Sequence, residues 1–116
     1  MKKRYRIKKS SEIDAIFKKK MVKGDSYFAV YQSEDEHALH FRFALSIGRK
    51  YGKAVDRNLA KRRVRMIVSE FKDQFIKNKL FVIVIKPQSS TLSYQDMKEK
   101  LHILFLKSKL MENEHE

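Results

Sequence analysis

Between Gly48 and Arg65 the chain sets Arg49, Lys50, Lys53, Arg57, Lys61, Arg62, Arg63 and Arg65 against a single acid, Asp56. Ammonium and guanidinium groups at this density do one kind of chemistry well. They bind anions, and the guanidinium fork can pair with two phosphate oxygens at once. Asn58 lies among them and offers both a donor and an acceptor, which suits a sugar, a base or an ordered water. Other chemical constellations are missing. His37, His40, His102 and His115 lack the partner spacing of a zinc site, and neither a Ser/His/Asp set nor a nucleophile elbow occurs. Glu34, Asp35 and Glu36 read as solvated charge in a turn. Gly48-x-x-x-Gly52-Lys53 echoes a phosphate loop but lacks its spacing and the hydroxyl after the lysine. No catalytic side chain and no protein metal site are expected.

Helical geometry sorts the charge. With Asp56 read as the N-cap, Ala60, Val64, Ile67, Val68, Phe71 and Phe75 recur at the spacing of a buried stripe. They predict an amphipathic helix of about five turns at ~3.6 residues per turn. Asn58, Lys61, Arg62 and Arg65 then share an arc beside that stripe, with Arg57 at its border and Arg63 on the far flank. Like charges at Arg57/Lys61 and Lys61/Arg65 repel across one turn, by roughly a few tenths of a kcal/mol per pair. A surface helix built for its own stability would interleave glutamates. The arrangement therefore favours a bound polyanion over a merely solvated face.

The elements that must hold this helix follow from the rest of the chain. Lys2 to Lys9 form a basic arm carrying Tyr5 and Ile7. A short helix follows, capped by Ser10 or Ser11, with Ile13, Ile16 and Phe17 on one stripe. Gly24 and Asp25 mark a turn before an aromatic, β-branched strand, Ser26 to Gln32. A second strand runs from Leu39 to Ile47, long enough to bend and count as two. After the basic helix, Leu80 to Ile85 reads as a strand that is central or covered on both faces, ended by Pro87. A last helix, capped at Ser93, turns Met97, Leu101, Leu104 and Phe105 to one side, and residues 112–116 form an acidic tail. With no repeat and no linker, residues 1–116 are expected to be one RNA-binding domain, an α+β sandwich of order αβββαβα or αββαβα.

Composition sets the class of partner. The chain has 116 residues, 42% hydrophobic, with Lys+Arg 27 against Asp+Glu 14, a formal charge of +13. A surplus this large repels itself unless a polyanion relieves it. Cysteine is absent, which excludes disulfides and thiolate zinc sites. The basic start lacks the apolar core of a secretory signal, and the longest apolar run, Leu80 to Ile85, is too short to span a membrane. A soluble, cytoplasmic protein is expected. Tyr27, Phe28 and Tyr31 on the first strand and Phe17 on the first helix place rings near the cations, as binders of unpaired bases do. Ordinary core packing competes with that reading at each ring. The residues alone reach a binder of structured or single-stranded RNA.

The stretch "KYGKAVDRNLAKRRVR" resembles the signature of the bacterial ribonuclease P protein component, roughly K-x-G-x-A-V-x-R-N-x-x-K-R-x-x-R. Lys50, Gly52, Ala54, Val55, Arg57, Asn58, Lys61, Arg62 and Arg65 fall in register. "RIKK", Phe17, "YFAVY" and "LSIGRK" also look like the family's segments. Two positions depart: Leu59 stands where the family has an arginine, and Gly48 where it commonly has a serine. The resemblance implies an αβββαβα fold with a mostly antiparallel sheet, one parallel pair and an unusual left-handed crossover. It implies a protein subunit that joins a catalytic RNA and helps it remove the 5′ leader of precursor tRNA, with Mg²⁺ bound mainly by the RNA. It implies two surfaces. Arg49, Lys50, Lys53, Arg57, Asn58, Lys61 and Arg62 would dock on the RNA, and Phe17, Tyr31 and Arg65 would line a cleft for the leader. A structural protein of another ribonucleoprotein, such as the ribosome, is the competing reading. A stand-alone nuclease lacks candidate acids and histidines.

Overall fold

The computed structural model describes residues 2–112. Three helices, α1 (Ser10–Lys18), α2 (Ala54–Glu70) and α3 (Tyr94–Lys107), accompany one sheet of β1 (Val22–Gly24), β2 (Phe28–Glu34), β3 (Arg42–Ile47) and β4 (Lys79–Ile85). The strand order is β1-β2-β4-β3. β1 and β4 each run antiparallel to β2, while β3 runs parallel to β4. The fold is thus α+β with a mixed sheet and one parallel pair, as expected, and α2 forms the crossover between the parallel strands.

Alternation along β4 explains why it lies in the middle. Phe81, Ile83 and Ile85 join the larger core under α2 and α3, and Leu80 and Val82 join a smaller core under α1. Both faces of this strand are buried, so its near-continuous apolar run has cover on either side. The stripe on α2 is buried as predicted: Ala60, Val64, Ile67 and Val68 all face the larger core. Phe75 also reaches that core, but not as part of the helix. α2 stops at Glu70, a 3₁₀ turn covers Lys72–Gln74, and Phe75 bridges to Met111.

Several local expectations need correction. The first strand of the sheet is Val22–Gly24, and the segment from Leu39 supplies one strand rather than two. Asp25 decides this, because its carboxylate accepts the backbone N–H groups of Tyr27 and Phe28, each at 2.8 Å. That tight turn folds Val22–Gly24 back onto β2, where Gly24 pairs with Ala29. Residues before Arg42 leave the strand path as Phe41 stacks on Tyr5 with ring centroids 4.9 Å apart. Neither Ser10 nor Ser11 caps α1; Lys9 holds the N-cap position without a side-chain bond. Asp56 is likewise not the N-cap of α2. Lys53 is, and Asp56 lies in the first turn, where its charge suits the positive helix end. Ser93 does cap α3, accepting from the Asp96 N–H at 3.1 Å. The basic arm is docked, not free. A 3₁₀ turn at Lys3–Tyr5 buries Tyr5, and the Ile7 N–H donates to the Phe43 carbonyl at 2.9 Å, so the arm lines the outer edge of β3. Of the acidic tail only Glu112 is described; the rest, with His115, lies outside the described residues. Among the described residues no helix is long and apolar enough to cross a membrane.

Candidate nucleic-acid interface

The cationic loop and α2 are joined by a turn that only glycine fits. Gly52 has φ +155°, and a Cβ there would meet the Asp56 carboxylate at 3.2 Å. The 3₁₀ turn Arg49–Tyr51 precedes it and exposes Arg49 and Lys50, and Lys53 stays exposed at the helix start. Arg57 has a structural duty. Its Nη1 donates to the Gly52 carbonyl at 2.7 Å and clasps the loop to the first turn of α2. A guanidinium carries five N–H donors, so the rest of the fork is left for an anion.

Further along α2, Asn58 and Arg62 are exposed, whereas Lys61 and Arg65 are half-buried. The last two line a cavity of about 190 Å³ with Arg6, Ile7, Ile13, Phe43, Ala44 and Leu45. A neighbouring groove is bounded by Arg6, Arg62, Arg65, Met66 and Ser69. Arg6 belongs to both concavities and was not singled out from the sequence. Its signal was available: in "RYRIKK" the apolar Tyr5 and Ile7 alternate with Arg4 and Arg6, so burying the first pair orients the second. Arg6 Nε is buried with no hydrogen-bond partner. Burial, and behind it the charge of Arg6, lower the Arg65 guanidinium from its usual range. Among the described residues no carboxylate forms an ion pair with Arg6, Lys61 or Arg65. Like charges facing one cavity without an acid favour an anion between them.

Phe17 and Tyr31 meet on the α1 side of the sheet, rings edge to face with centroids 4.7 Å apart. Both are half-buried and pack against the smaller core, so each keeps some ring surface in solvent. Phe28, by contrast, is fully buried and serves packing. Tyr27 rests against the larger core with the Lys100 ammonium 5.3 Å from its ring centre. Arg65 does not line the Phe17–Tyr31 contact. It lies by Ile13, one turn earlier on α1, beside β3. Phe17 and Tyr31 mark the β2 end of α1, and Arg65 its β3 end.

Acids are used to hold elements together. Glu12 of α1 takes Arg42 of β3 at 2.9 Å, which holds its carboxyl below the usual range. Lys79 bonds Glu34 at 2.6 Å, and Lys98 bonds Glu70 at 2.5 Å. Among the described residues no three His, Asp or Glu side chains gather where a metal ion could be held.

Comparison with known proteins gives concordant findings. The family model "Ribonuclease P" matches residues 1–109. The ribonuclease P protein component of Acholeplasma laidlawii is 46% identical over 114 residues, 98% of this chain and 97% of that protein. That of Bacillus cereus is 39% identical over 108 residues, 93% of this chain and 94% of the relative. The solved structure of the Staphylococcus aureus RNase P protein superposes with a TM-score of 0.86 at 26% identity, covering 93% of this chain and 98% of that one.

Proposed function

The chain belongs to the ribonuclease P protein family, and we propose that it is the protein subunit of that endoribonuclease, pairing with the ribonuclease P RNA in removal of the 5′ leader from precursor tRNA. The observation that carries the reading is the cavity at the β3 edge, where Arg6, Lys61 and Arg65 converge and, among the described residues, no acid pairs with them. A phosphodiester backbone supplies the missing charge.

Arg49, Lys50, Lys53, Arg57, Asn58, Lys61 and Arg62 would contact the catalytic RNA, all lying on α2 or the loop leading into it. The leader, an unpaired strand, would lie along α1. Phe17 and Tyr31 would offer ring surface to its bases, and Arg65 would neutralise a phosphate at the other end. Lewis-acid chemistry for phosphodiester hydrolysis would come from Mg²⁺ held by the RNA. Among the described residues no three acids gather into a Mg²⁺ cage, and Glu12, Glu34 and Glu70 each hold a cation of a neighbouring element. The ion is assigned mainly to the RNA, and this chain's part is to bind and align. A cytoplasmic place of work goes with that role.

Reconstitution tests the reading. Adding the protein should lower the Mg²⁺ concentration at which ribonuclease P RNA cleaves. It should also tighten binding of leader-bearing precursor relative to mature tRNA. A protein that changes neither quantity would sink the proposal.

A further inference from the structure

A second concavity opens where the arm, the segment before β3 and the 3₁₀ turn after α2 meet, and no residue of α2 or α1 lines it. Its volume is about 120 Å³. Phe41 and Phe75, both buried, form the floor with ring centroids 4.7 Å apart. The His40 imidazole stands beside them, 4.7 Å from the Tyr5 ring, and stays half-exposed. Leu39 at the rim is 89% exposed, the most of any large apolar side chain among the described residues. The tautomer of His40 is fixed. Its Nδ1 donates to the Phe41 carbonyl at 2.9 Å, so in the neutral ring Nε2 is an acceptor. Charge surrounds the mouth. The Lys72 ammonium is held 5.1 Å from the centre of the Tyr5 ring, and Lys77 and Asp73 are exposed beside it. None of these three forms an ion pair among the described residues. Opposite charges left unpaired around one small apolar floor suit a ligand that needs both.

We propose that this concavity binds one unpaired guanosine nucleotide. Pockets that enclose a whole small molecule usually measure ~300–1,000 Å³, so this one takes a planar ring system and leaves sugar and phosphate at its mouth. The ring packs between His40 and Leu39, as unstacked bases do on aromatic side chains. Guanine carries N–H donors at both N1 and N2 on one edge, which match the two oxygens of the Asp73 carboxylate. Uracil offers a single donor on that edge. The phosphate then meets the Lys72 and Lys77 ammonium groups. A simple anion would leave the rings unused and be repelled by Asp73. An unpaired guanosine within an RNA and a free mononucleotide share this chemistry.

The test is a titration of the full chain with guanosine 5′-monophosphate, followed through the NMR signals of the Leu39 methyl groups and the His40 ring. Both should shift and saturate. Uridine 5′-monophosphate should bind about tenfold more weakly, and Asp73→Asn should erase that preference by weakening the guanosine nucleotide alone. Leu39→Ala, at an exposed position that the fold does not need, should weaken both nucleotides by about fivefold. Lys77→Ala should narrow the gap between guanosine 5′-monophosphate and guanosine. Inorganic phosphate should leave the Leu39 signals in place. Repeating the titration with ribonuclease P RNA bound separates the two sources. Loss of the response identifies a nucleotide of the RNA as the occupant, and a response that persists identifies the free mononucleotide. Absence of a saturable shift at Leu39 and His40, equal affinity for the two nucleotides, or unchanged affinity in Leu39→Ala overturns the proposal. Any of these leaves the ribonuclease P reading standing, because that reading rests on the separate cavity at the β3 edge.

Discussion

Arg65 illustrates how a residue's place decides its chemistry. It is drawn partly out of water beside Arg6, so its charge is poorly relieved in the free protein and best relieved by an anion. Arg62, one turn earlier, is exposed and has less to gain. Replacing Arg65 with alanine should weaken RNA binding and flatten the salt dependence by about 0.7–0.9 log units, the value for one lost phosphate contact. An unaltered slope would remove Arg65 from the interface. Phe17 tests the proposed leader path. Phe17→Ala removes the edge-to-face partner of Tyr31 and should weaken binding of leader-bearing precursor more than of mature tRNA. Equal losses on both would mean that the ring serves packing alone. At this scale the sequence was informative where residues act through charge. Asn58 and Arg62 are exposed as helical spacing said. Arg57's clasp on Gly52 was hidden, since it depends on how the chain folds back, whereas the alternation that points to Arg6 stood in the sequence.

Among the elements, α2 was the most legible, because its stripe repeats over several turns and no other period fits. Its ends were read less well. Asp56 resembles a cap in composition, yet Lys53 starts the helix under the constraint of the Gly52 turn. β1 was missed because three exposed residues carry no alternation; it exists through the Asp25 turn and its pairing with β2. α1 presents a different dependence, since an ion pair ties it to β3. The hydrogen bond from Arg42 lowers the Glu12 carboxyl, with burial and the charge of Asp35 opposing. A carboxyl depressed in the folded state adds stability above its unfolded pKa and loses it as pH falls through the folded value. Wild-type stability, followed by urea midpoint, should therefore decline from about pH 5 to pH 3 more steeply than that of Glu12→Gln. Parallel curves would show that this pair contributes nothing.

For the whole molecule, the formal charge of +13 is the governing quantity. Repulsion within a domain of this size lowers stability, and anything that binds the folded form raises it by mass action. Sulfate should raise the melting temperature more than chloride at equal ionic strength. Much of that advantage should be lost in a variant with both Arg6 and Arg65 changed to glutamine. Identical responses to the two salts would show screening without binding. The overall class, one mixed sheet with helices on both faces, was legible from the order of elements. The position of the arm was not, because "KKRYRIKK" reads as a charged tail until Tyr5 and Ile7 are seen to enter separate cores.

The strand order carries a consequence in time. β2 and β3 do not pair with each other; β4, which ends at Ile85, lies between them and bonds to both. During synthesis most of the chain must leave the ribosome before the sheet can close. Until then the aromatic residues of β2 and β3, and a cationic α2 with nothing to lean on, are exposed together. Folding is thus delayed until the last third of the chain emerges, and a nascent chain that has not reached β4 cannot present the cationic face of α2 on a closed sheet.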